Sequence, residues 1–139
     1  MIYTSYWSNK KDIDTERNAY ISISCTMPRW HLPFNVSHCR ALKPFGIWNN
    51  PNVTWEGQYK PMYFAQLDRL GVDAIRKAIK EAQGDKENAV LLCWEKDKFE
   101  CHRWLFAEWW MEHTGEQVLE IGEEEERERP IQYSQGTLF

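Results

Sequence analysis

The apolar positions of this chain fall into short runs broken by polar and proline-rich stretches, with one clear helical stripe. Val72, Ile75, Ala78 and Ile79 recur at helical spacing opposite Arg76, Lys77, Lys80 and Glu81, which predicts an amphipathic helix over residues 72–83. Residues 1–7 are rich in β-branched and aromatic side chains and read as a first strand. Residues 19–25 alternate and read as a second, ending before Pro28. The run Ala89-Val90-Leu91-Leu92-Cys93 suits a buried strand and is too short for a helix. A polar break, Glu95 to Lys98, precedes a helix expected over residues 101–113, and residues 117–121 read as a closing strand after Gly115.

Between these elements, residues 29–52 carry three prolines, Gly46 and Asn49-Asn50, and are expected to be irregular with at most short helical turns. A helix is expected to start near Pro61, because proline suits the first helical turn, and to end at Gly71. Strand, helix and strand at this spacing imply a right-handed crossover between parallel strands. The predicted fold is an α/β domain, three-layered, with a mainly parallel Rossmann-like sheet over residues 1–122. Residues 123–139 then form an acidic, flexible tail.

Charge sharpens this division. The net charge is −4, and the five glutamates and two arginines of residues 123–139 supply −3 of it, leaving the body nearly neutral. Salt-driven nucleic-acid binding by a broad basic surface is therefore not expected, although the charge balance leaves room for a local basic groove. The four cysteines do not space like a secreted disulfide framework, and neither a signal sequence nor a membrane span is visible. A reducing, cytoplasmic setting follows as the expectation, in which cysteines are buried, metal-bound or catalytic rather than bridged.

The candidate chemistry lies in residues 88–103. In open α/β sheets, ligands bind at the carboxyl ends of strands and the amino ends of the following helices. Cys93, Glu95, Cys101, His102 and Arg103 fall there. Cys101 at a helix start is the candidate nucleophile, because exposed amides and the helix dipole favour a thiolate; the alternative is a cysteine that merely packs under the loop. His102 and Glu95 are the candidate proton carriers. Arg103 suits an anion, or else an ion pair with Glu95. Cys93 points into the core or toward Cys101. If the sheet is parallel, Tyr6, Trp7, Ser8, Cys25, Thr26, Arg29 and Trp30 reach the same edge, so that Arg29 and Trp30 add anion binding and ring stacking for a nucleotide or flipped base.

No cofactor is expected from these residues. Zinc is the alternative, held by Cys93, Cys101 and His102 and completed by Cys25, His38 or Cys39, but Cys-x7-Cys-His is not a standard zinc spacing. No P-loop, Gly-x-Gly-x-x-Gly or Gly-x-Ser-x-Gly motif occurs.

The stretch Cys93-x-Glu95, a short charged loop, then Cys101-His102-Arg103-x-Leu105-x-Ala107-Glu108-Trp109 resembles the signature of domain-of-unknown-function family 488 (DUF488), a family of small bacterial and phage proteins. Ile2-Tyr3-Thr4-Ser5-Tyr6 and Ile21-Ser22-Ile23-Ser24 resemble the first two strands of its short branch. The resemblance implies a fold and a site location rather than a reaction. Separately, Gln135-Gly136-Thr137-Leu138-Phe139 resembles the peptide with which bacterial replication and repair proteins dock on the sliding clamp, with Gln135 as polar anchor and Leu138 and Phe139 as apolar plug. Gly136 departs from the leucine typical there. The expectation is an enzyme acting on a nucleotide or nucleic acid, in DNA repair or modification. The alternative is a non-catalytic module that binds a nucleotide, an anion or a partner protein, with its C-terminal peptide as a tether to the sliding clamp.

Overall fold

A computed structural model describes residues 1–123. Five parallel strands form one sheet: β1 (Ile2–Tyr6), β2 (Asn18–Ser22), β3 (Val36–His38), β4 (Asn88–Cys93) and β5 (Leu119–Glu120), in the spatial order β3-β2-β4-β1-β5. Three helices follow the pattern of the sequence: α1 (Lys60–Leu70), α2 (Val72–Gln83) and α3 (His102–Thr114). The fold is α/β with a wholly parallel sheet, consistent with a Rossmann-like arrangement. β4 lies at its centre with five of six residues buried, as a continuous apolar run requires in a sheet covered on both faces.

Register assigns the faces. Ile21 pairs with Leu91 and Leu91 with Thr4, so these three share one face, while Tyr20, Val90 and Tyr3 share the other. All three helices pack on the first face, where Leu67, Ile75, Ile79, Phe106, Trp109 and Trp110 meet Ile21, Ile23 and Leu91. The second face carries Trp7, Tyr20, Val90 and Leu92, covered by Ile13, Leu32 and Phe34 from irregular chain. The third layer is thus coil rather than helix. Phe34 stacks on Tyr20 with ring centroids 4.0 Å apart, one aromatic pair replacing part of what a helix would bury.

The helix limits have local causes. Pro61 lies in the first turn of α1, and a wide turn over Trp55–Tyr59 leads into it, closed by Tyr59 N–H donating to the Thr54 carbonyl. Gly71 and Gly84 bracket α2 at φ of 83° and 64°, a region that glycine enters without steric cost. The segment expected to lack strands contains β3, which pairs with β2 through Tyr20–Val36 to Ser22–His38. Three residues on a sheet edge carry too little pattern to stand out among prolines.

Candidate functional site

The carboxyl ends of β1, β2 and β4 converge, as the parallel sheet requires. Trp7 N–H donates to the Cys93 carbonyl and Ile23 N–H to the Leu92 carbonyl, holding the two outer strand ends against the end of β4. The chain leaves β4 at Cys93, makes a short helical turn at Lys98–Glu100 and enters α3 with Cys101 at its N-cap. Asp97 caps that turn by accepting from Phe99 N–H, so the loop returns toward the sheet within eight residues. This return brings Cys101 back over Cys93.

The sulfurs of Cys93 and Cys101 are joined as a disulfide, with Cα atoms 7.2 Å apart. The expectation that the cysteines are unbridged is corrected for this pair; Cys25 and Cys39 remain free. Of the two directions open to Cys93, core or Cys101, the strand–turn–helix return selects the second by placing the two side chains together. Cys101 was expected to act as a nucleophile, which in this arrangement requires prior reduction.

His102 adjoins them. It is buried, its Nε2 lies 2.6 Å from the Ile23 carbonyl, and its Nδ1 lies 4.0 Å from Cys101 Sγ. A carbonyl oxygen can only accept, so Nε2 carries the proton and Nδ1 presents a lone pair toward the sulfurs. Burial, with Arg103 adding to it and the Ile23 carbonyl opposing it, pushes the imidazole pKa down to about 4. The ring is therefore neutral at ordinary pH. Sγ of Cys93, Sγ of Cys101 and one ring nitrogen of His102 all lie within 4.8 Å of one another, the one group of three such ligands found among the described residues.

Arg103 takes a different role from the anion receptor expected of it. It is fully buried, and its Nε and Nη2 clamp Glu120 at 2.9 and 2.8 Å. Nη1 donates to the Glu95 carbonyl at 2.6 Å and to Cys93 Sγ at 3.3 Å, while Tyr6 lies beneath the guanidinium. The ion pair suspected with the Glu95 carboxylate is made with Glu120 instead, and Glu95 contributes its backbone oxygen. Thr4 Oγ1 completes the network, donating to Glu120 Oε1 at 2.7 Å. Glu120 escaped the sequence reading because it lies in a two-residue strand 17 residues from its partner.

The Cys/His centre opens into a cleft of about 350 Å³. Its walls carry Trp48, Trp55, Tyr59 and Trp94, together with Cys25, Glu95 and Glu100, and include no lysine or arginine. Trp48, Trp55 and Tyr59 come from the irregular excursion and the turn before α1, where no periodic pattern marks a side chain's destination. Trp94 is fixed by Nε1 donating to Thr26 Oγ1 at 2.9 Å and stands edge-on to Trp30. Trp30 and Ser8 line a separate apolar groove with Trp7, Pro33 and Phe34, and Arg29 is exposed outside the cleft. The structure therefore brings Cys93, Glu95, Cys101 and His102 together and leaves Ser8, Arg29 and Trp30 apart from them. Of the further zinc ligands considered, Cys25 shares the cleft and burial pushes its thiol up, with Lys43 pulling the other way. His38 is engaged by Lys43 Nζ at 2.8 Å, and Cys39 is a buried thiol likewise raised by burial.

Gln135, Leu138 and Phe139 lie outside the described residues. Among the described residues no helix is long and apolar enough to cross a membrane. No family model, curated protein or solved structure matches this chain.

Proposed function

We propose that this chain is an enzyme that acts on a nucleotide or nucleic acid, receiving a planar base in the aromatic cleft and working on it through Cys93, Cys101 and His102. One observation carries the reading: two sulfurs and a neutral imidazole share a cleft wall system with Trp48, Trp55, Tyr59 and Trp94. Indole and phenol rings offer a base a stacking face, and Glu95 and Glu100 on the same walls offer hydrogen-bond acceptors and proton carriers. The absence of lysine and arginine from those walls favours contact with the base over contact with its phosphate. The resemblance of Cys93, Glu95, Cys101, His102 and Arg103 to the signature of domain-of-unknown-function family 488 supports this location for the site. The clamp-like tail, Gln135 to Phe139, suggests DNA repair or modification as the setting.

A non-catalytic binding module is the second reading, favoured by the disulfide, which leaves no free thiol at the centre. Titration of tryptophan fluorescence with nucleosides, nucleotides and short single-stranded oligonucleotides tests the shared premise. Trp48→Ala is expected to weaken binding by roughly 5- to 150-fold, since stacking on one ring is worth about 1–3 kcal/mol. An absence of binding by any of these ligands at millimolar concentration removes the enzyme reading and the nucleotide-binding form of the second. Turnover that needs a dithiol reductant, set against binding that does not, separates them.

A further inference from the structure

We infer that Cys93, Cys101 and His102 form a zinc(II) site, filled when the cysteine pair is reduced, with its fourth coordination position open to the aromatic cleft. This inference rests on the three ligand atoms and stands whether or not the cleft takes a base. Two thiolates and one imidazole are a donor set that zinc prefers, and three protein ligands leave a tetrahedral ion one position for water or substrate.

The first support is spacing. Zinc–sulfur bonds of about 2.3 Å in a tetrahedron set the two sulfurs roughly 3.8 Å apart, with the nitrogen at a comparable distance from each. His102 Nδ1 stands 4.0 Å from Cys101 Sγ and all three ligand atoms fit within 4.8 Å, a span that one tetrahedral ion covers once reduction breaks the disulfide and lets the two bonded sulfurs move apart. The Cα separation of 7.2 Å exceeds the roughly 4.4–6.8 Å that cystines usually span, and suits side chains that meet on an ion between them. Second, the surroundings are those of a metal ligand set. The Ile23 carbonyl fixes the proton of His102 on Nε2, the usual device for aiming the other nitrogen at a metal. Arg103 Nη1 donates to Cys93 Sγ at 3.3 Å, a contact that stabilises a charged sulfur far more than a neutral one. Third, all three residues reach the cleft wall, so an ion bound there would be accessible to solvent and to ligands.

Disulfide and zinc compete for the same two sulfurs. A dithiol reductant transfers two electrons and two protons to the cystine, giving two cysteine thiols and leaving as its own disulfide. Zinc(II) then replaces the two thiol protons, which are released to solvent, and the His102 Nδ1 lone pair adds without proton loss.

The test uses the full chain, reduced with a dithiol and exchanged into zinc(II) under anaerobic conditions. Elemental analysis after gel filtration should find one zinc per chain, and peptide mass spectrometry should find alkylation of Cys93 and Cys101 slowed at least tenfold, recovering on chelation. His102→Ala, reduced, should bind zinc at least tenfold more weakly, and the oxidised wild-type chain, whose fold is checked by circular dichroism, should retain no zinc, which keeps the test decisive even if that variant fails to fold. Cobalt(II) substituted for zinc should give the intense visible bands of a four-coordinate thiolate site. Cys25→Ser should leave stoichiometry and affinity unchanged, whereas a tenfold loss would make Cys25 the fourth ligand and overturn the open position. Equal zinc retention by oxidised and reduced chains, or unchanged alkylation of Cys93 and Cys101, overturns the site.

Discussion

His102 and Arg103 are neighbours on one helix turn, both buried, yet they head two clusters of opposite character. Arg103, Glu120 and Thr4 form a closed network: the guanidinium clamps the carboxylate, its remaining donors meet the Glu95 and Lys96 carbonyls, and Thr4 supplies a further bond to Glu120. The Cys93, Cys101 and His102 centre is open. Its Nδ1 lone pair faces the sulfurs instead of a protein donor, and it borders a cleft. A buried polar group with all its partners in place rigidifies; one with spare capacity at a cleft wall is where a ligand can gain most. The contrast separates scaffold from chemistry within two adjacent residues. Arg103 serves the centre as a positioning residue through its bond to Cys93 Sγ.

Breaking the closed network should cost the most. Arg103→Ala strands Glu120, whose side chain is 5% exposed, as an uncompensated buried charge, and about 3–5 kcal/mol of stability should be lost in urea unfolding. Replacing both partners together, Arg103→Met with Glu120→Leu, should recover a large part of that loss. If the single variant costs under 1 kcal/mol, the network is not the closed scaffold described.

The open centre should respond to pH instead. His102 has its folded pKa depressed from 6.5 to about 4, so between these values the unfolded chain binds more protons than the folded one. Its contribution is fully present above pH 6.5 and is lost as pH falls toward 4, by about 3 kcal/mol at the lower limit. Chemical unfolding of the oxidised, metal-free chain at pH 7, 5.5 and 4, with His102→Gln as reference, measures this component. A wild-type profile that parallels the variant would show that His102 does not stay neutral when buried.

The smallest effect expected is Thr4→Val, which preserves shape while removing the donor to Glu120 Oε1. Because Arg103 still satisfies the carboxylate, the loss should be about 1–2 kcal/mol, with no change in the alkylation rate of Cys93 in the dithiol-reduced chain. A marked change in that rate would show that Thr4 also acts on the centre, through Glu120 and the Arg103 bond to Cys93 Sγ.

Much of the frame was legible in the chain. Residues 72–83 form α2 at the predicted limits, since Ile75 and Ile79 define a face and a glycine punctuates each end. The apolar run ending at Cys93 became the central strand, and Cys101 stands at the start of α3 as anticipated. Parallel pairing then carried Cys25 and Thr26 to the cleft. Trp30, by contrast, lies beyond Trp94 in another groove, because a ring's destination in irregular chain depends on packing and not on its distance from a strand end. Trp48 and Trp55 reach the cleft for the same reason, and no local signal distinguished them from Trp109 or Trp110 in the core.

The sequence by itself determined the alternation of strands and helices, and with it the edge at which reactive side chains gather. Periodicity and glycine or proline punctuation are local, and they act before any tertiary contact forms. Only the tertiary structure decided the partners: Cys93 with Cys101, His102 with the Ile23 carbonyl, and Arg103 with Glu120 rather than the Glu95 carboxylate. Each choice turns on ångström-scale distances between segments brought together by strand register and helix packing. The composition of residues 88–103 names the participants, but the sheet decides which lone pairs are spent and which remain.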